Sequence, residues 1–147
     1  EWLKENNFKV GCRLSKVMAF QPLDAFNNAH IMIPKNYDNS IDNFFIDFLK
    51  KYGYNDNFKP FTLGVLHEIG HFETNHLFNS EEWYFDYLIK IAFFSENFHT
   101  EEQKKEMLFK YWKTSTEFSA NMWTIMYVQV FREKVVKLEN LLKEYCE

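Results

Sequence analysis

The stretch "TLGVLHEIGHFET", Thr62 to Thr74, sets His67 and His71 four residues apart, with Glu68 directly after the first, in an otherwise almost wholly apolar segment. Buried imidazoles and carboxylates lose their hydration in a low-dielectric interior and need a partner there. A metal ion supplies one. On a helix, residues four apart share a face, so both imidazoles can aim at a single point that suits zinc. The pattern H-E-x-x-H then sets Glu68 beside the ligand pair, able to polarise a water without itself binding the ion. At about 100° per residue, Gly64, His67, Glu68 and His71 gather on one side of the helix, and Val65, Leu66, Ile69 and Phe72 on the other. The missing side chain of Gly64 leaves room on the site face, whereas Gly70 permits close helix packing.

Catalytic zinc usually takes three protein ligands and a water, so a third ligand must come from elsewhere. His76 points away from the motif's face. The longer pattern H-E-x-x-H-x-x-G-x-x-H fails, because Thr74 and Leu77 stand where its Gly and third His belong, which argues against a metzincin. Downstream, "STEFSANMW" offers Glu117, Ala120 and Asn121 as E-x-x-A-N, with Glu117 lying 46 positions beyond His71. Glu117 also has a purely local reading. Thr114-x-x-Glu117 has capping-box spacing, and an acidic residue in a first helical turn needs no metal.

HEIGH followed by E-x-x-A-N resembles the gluzincin pattern over roughly Thr62 to Tyr127. Among small gluzincin-like proteins, the chain is most similar to the ImmA/IrrE-type metallopeptidases of bacteria, phages and mobile elements. The resemblance implies a zincin-like fold in which His67, His71 and Glu117 hold Zn2+ and Glu68 is the general base. It also implies that Asn121 is a hydrogen-bond partner of His67 and that Ala120 is small so that two helices approach. The activity implied is zinc-dependent hydrolysis of a peptide or protein substrate. A non-catalytic zincin-like binding or regulatory module is the alternative, and the presence of Glu68 argues against it. A helical interaction protein carrying the motif by chance would bind no metal.

The elements that must position these residues are legible in outline. All the glycines and prolines precede His71, which splits the architecture. "FKVGCRLSKVMAF" and "AHIMI", bounded by turn-forming Pro, Asn and Asp, read as two or three short strands. "SIDNFFIDFLKKY" predicts a helix from a Ser40 cap to a stop at Gly53. The motif helix begins at Pro60 and is expected to run to about His76. A helix follows from Ser80 to about Phe94, and Thr100 with Gln103 has the capping-box spacing of the next. After an interruption near Thr114 to Thr116, the chain is helix-forming to its end, with a bend near Phe131. The reading is an α+β, zincin-like domain spanning 1–147: a small N-terminal sheet on the HExxH helix, with a helical C-terminal half.

Composition narrows the partners. At 147 residues with 46% hydrophobic and 20% aromatic content, the chain can build one core dominated by rings. A net charge of -4 gives no basic field for a phosphate backbone, so no nucleic acid is expected. No apolar run approaches the roughly 20 residues of a membrane span. Cys12 and Cys146 form neither a disulfide framework nor a thiolate site, which fits a reducing, cytoplasmic setting. Glu1 stands where an initiator Met would, so the chain reads as a fragment, a processed product or an excised domain, which leaves room for a removed neighbouring domain. The amphipathic terminal stretch Val135, Val136, Leu138, Leu141 and Leu142 would suit a regulatory partner or such a domain. His30 reads as a strand-end surface residue, with lining of a cleft beside the motif helix as the alternative. Tyr127 and His99 read as ordinary side chains, with oxyanion stabilisation as the alternative, and neither is named as catalytic.

Overall fold

The computed structural model describes residues 1–15, 18–21, 29–34, 42–94 and 100–146. Their architecture is α+β. A first turn of helix α1 (Trp2–Glu5) precedes strands β1 (Gly11–Ser15), β2 (Ala19–Gln21) and β3 (His30–Pro34). Helices α2 (Asp42–Lys51), α3 (Pro60–Thr74), α4 (Ser80–Phe94), α5 (Glu101–Trp112), α6 (Ser115–Val130) and α7 (Arg132–Cys146) follow. The sheet order is β1-β3-β2, with β1 parallel and β2 antiparallel to the central strand.

β3 buries Ile31 and Ile33, while Gly11 to Leu14 of β1 face solvent, Cys12 among them as a free thiol. His30 corrects the surface expectation: it is only 4% exposed. Its strand lies between two others, paired there with Gly11 and Gln21, so the end of β3 is flanked on both sides. Phe20 of β2 meets Phe72 of α3 edge-on, which seats the sheet on the motif helix.

Helix ends are held by a mixture of local and distant groups. Gly53 ends α2 at φ 106°, where the amide of Tyr54 reaches back to the Leu49 carbonyl. The Ser40 cap lies outside the described residues. α3 opens with Pro60 at its first turn, and the Glu139 carboxylate of α7 accepts from the Lys59 amide and the Thr62 hydroxyl at 2.8 and 2.9 Å. The expected run to His76 stops at Thr74, whose hydroxyl donates to the Gly70 carbonyl, and a 3-10 turn over Asn75–Leu77 follows. Asn79 caps α4, exchanging bonds with Glu82, and Thr100 accepts from the Gln103 amide as its spacing implies.

The C-terminal helix-forming stretch divides at Phe131, at φ -121° and ψ 39°, into two helices rather than one bent one. Val135, Leu138 and Leu142 of α7 are buried, leaving Leu141 exposed. Tyr127 is a core ring, stacked on Trp123 at 4.8 Å with Trp2 and Phe8 around it. His99 lies outside the described residues. Among the described residues, no helix is long and apolar enough to cross a membrane.

α3 and α6 cross where Gly70 meets Ala120. A Cβ added at Gly70 would lie 2.8 Å from the Ala120 carbonyl oxygen and 3.2 Å from its Cα, both backbone atoms that cannot swing aside. Gly70→Ala is therefore expected to overpack the crossing and destabilise the fold by about 1–3 kcal/mol. Urea unfolding monitored by circular dichroism measures this, and a midpoint equal to wild type would show that the helices can separate freely.

Candidate metal centre

The centre is assembled at the α3–α6 crossing. His67 and His71 stand one turn apart on α3, and Glu117 comes from the first turn of α6. All three are buried, at 7%, 4% and 9% exposure. His67 Nε2 lies 2.9 Å from Glu117 Oε2, and His71 Nε2 lies 3.2 Å from Glu117 Oε1. One ligand atom from each residue falls within 4.8 Å of the others.

That arrangement fits a zinc ion. Bonds of about 2.0–2.2 Å in tetrahedral geometry separate neighbouring ligand atoms by roughly 3.3 Å, close to the His–Glu spacings here. Two imidazoles and a carboxylate are also a donor set that zinc accepts. The tautomer of His67 is set by Asn121, whose Oδ1 lies 2.7 Å from His67 Nδ1. An amide oxygen only accepts, so Nδ1 carries the proton; in the neutral ring Nε2 is then free to bind a metal. Asn121 is itself fixed, its Nδ2 donating to the Trp112 carbonyl at 3.2 Å.

His71 is held differently. Its Nδ1 is buried and has no hydrogen-bond partner among the described residues, so ring contacts orient it. Phe20 stacks on it at 6.3 Å and Trp83 of α4 lies at 5.2 Å. Glu68 lies beside the trio and outside it, its Oε1 4.0 Å from His67 Nε2.

The capping-box reading of Glu117 does not hold, although the residue does sit in the first turn of α6. The Thr114 hydroxyl donates instead to the Tyr111 carbonyl, and Asp86, buried on α4, accepts from the Thr116 amide and hydroxyl at 2.7 Å each. The helix end is thus satisfied from outside, and the Glu117 carboxylate turns towards the histidines. Tyr111 of α5, absent from the sequence expectations, donates its hydroxyl to Glu117 Oε1 at 2.8 Å. Nothing in a chain rich in tyrosine singled it out. Asp86 did leave a signal, as a lone carboxylate in the aromatic run "WYFDYLIK".

Electrostatics bind the trio together. Burial alone would lower the His67 pKa, yet the Glu117 carboxylate outweighs it, by charge and hydrogen bond, and holds it at about 9. Burial likewise works to raise Glu117, but the two imidazoles keep it well below the usual carboxylate range. Burial pushes the Glu68 carboxyl up, against the pull of His67 and His71.

Compared with known proteins, the chain matches no family model, no curated protein and no solved structure.

Two expectations follow from this geometry. A proton on His67 competes with a metal below pH about 9, so apparent zinc affinity should rise about tenfold per pH unit towards that value and then level off. The same shift stabilises the metal-free fold fully below about pH 6.5, and that contribution is lost as pH rises through about 9. Calorimetric titration in buffers of different ionisation enthalpy should count about one proton released from His67 at pH 7. No release would show that His67 is already neutral. Asn121→Ala should weaken zinc binding about 10- to 100-fold without unfolding the domain, and competition with a chelator of known affinity measures it.

Proposed function

We propose that the chain is a zinc-dependent metallopeptidase of gluzincin type, with a zincin-like fold and the ImmA/IrrE-type enzymes as its nearest resemblance. The observation that carries the reading is the convergence of two Nε2 atoms and one carboxylate, with a further carboxylate, Glu68, 4.0 Å from His67 Nε2. Supporting it, the motif helix packs against a small sheet and crosses a later helix that brings the third donor.

His67, His71 and Glu117 would hold the ion. When bound there, zinc supplies Lewis acidity that polarises a peptide carbonyl and acidifies water. Glu68 takes the proton of the attacking water as its oxygen bonds to the carbonyl carbon. It returns a proton to the amide nitrogen as the carbon–nitrogen bond breaks, so one carboxylate serves as base and then as acid. Asn121 keeps the His67 ring in the tautomer that offers Nε2. Phe20 and Trp83 hold the His71 ring, so that neither imidazole needs to reorient during turnover.

Glu68→Gln tests the reading, because an amide cannot accept that proton. Peptide-library hydrolysis should fall by at least about 10²- to 10⁴-fold while one equivalent of zinc stays bound. Glu73→Gln is the control: Glu73 lies on the same helix, with His76 and Tyr127 as its electrostatic neighbours. Near-normal hydrolysis by Glu68→Gln, or an equal loss in the control, would remove Glu68 from the proposed role. Elemental analysis that finds no zinc after equilibration would sink the whole reading.

A further inference from the structure

We infer that Tyr111 is a positioning residue that keeps Glu117 a one-oxygen ligand, leaving a coordination position open for water or substrate. This rests on the reading of His67, His71 and Glu117 as a metal centre. A carboxylate can grip an ion through one oxygen or two. A catalytic zinc site needs a vacant position beyond its three protein ligands, and a two-oxygen grip would consume it.

The two oxygens of Glu117 are not equivalent. Oε1 accepts the Tyr111 hydroxyl at 2.8 Å and lies 3.2 Å from His71 Nε2, whereas Oε2 faces His67 Nε2 at 2.9 Å. Donation into Oε1 occupies a lone pair and draws off charge, so Oε2 is left as the stronger donor towards an ion.

The hydroxyl is held for this task by its surroundings. Tyr111 is 9% exposed, and its carbonyl accepts both the amide and the hydroxyl of Thr114, at 3.0 and 2.8 Å, in the turn that joins α5 to α6. The next residue, Trp112, takes the Asn121 amide through its own carbonyl. The last turn of α5 therefore bears on two of the three ligands, on Glu117 through Tyr111 and on His67 through Asn121.

The test is cobalt(II) loading of the wild-type protein and of Tyr111→Phe. Wild type should show the intense visible absorption of a four-coordinate ion. Tyr111→Phe should show the several-fold weaker bands of a five-coordinate ion, as Glu117 closes on it with both oxygens, together with a loss in zinc affinity of about tenfold or more. A folded Tyr111→Phe protein with an unchanged cobalt spectrum would overturn the inference and leave the metal reading standing. Failure of the wild type to bind cobalt or zinc would remove both. If Tyr111→Phe does not fold, X-ray absorption on the zinc-loaded wild type decides: four light-atom neighbours support the one-oxygen grip, and a carboxylate bound through two oxygens refutes it.

Discussion

A single buried carboxylate governs how this protein is built. Glu117 carries its charge into the interior, where an isolated ion would cost several kcal/mol even after relaxation. The cost is offset from four directions: the Nε2 atoms of His67 and His71, the hydroxyl of Tyr111, and the amide dipoles at the start of α6. Those partners come from α3, α5 and α6 itself, so the three helices must meet at one point for the anion to be tolerated. The close approach of α3 and α6 satisfies a charge as well as packing apolar surface.

The supporting contacts follow the same logic one layer out. Asp86 takes the amide and the hydroxyl of Thr116 at the start of α6, so Glu117 is not needed as a cap at its own helix end. Glu139 does the same for the opening turn of α3, and Asn121 links His67 to the end of α5. The starts of α3 and α6 and the end of α5 are therefore each secured by a side chain from another helix. Turns fastened this way lose less order to fraying than turns capped only by their own neighbours.

How much of this could be read from the sequence depends on where each partner lies. The H-E-x-x-H spacing, the E-x-x-A-N spacing and the small residues at 70 and 120 are local patterns, and the helical period converts them directly into faces. The bond between Asn121 and His67 was implied by the resemblance that those spacings carry, not by the helical period itself. Tyr111, Asp86 and Glu139 act across 6, 30 and 77 residues, where no period applies and only the tertiary crossing brings the atoms together. His30 was misjudged for a related reason: a strand's edge or centre depends on which strands pair, and β3 gains a parallel neighbour that no hairpin signal announces. The division at Phe131 was legible as a bend but not as a break.

The bare contact between Gly70 and Ala120 has a consequence for size discrimination. Two helices separated by interleaved side chains can breathe by small rotamer changes, as if across a compressible layer. Here backbone nearly meets backbone, and the repulsive wall between atoms sets the spacing. His67, His71 and Glu117 hang from those two backbones, so the gap they span behaves as a fixed gauge. If the trio holds a metal as proposed, an ion with longer bonds, such as calcium, would fit only by twisting side chains out of their rotamers, whereas one with bonds near 2 Å would need no such adjustment.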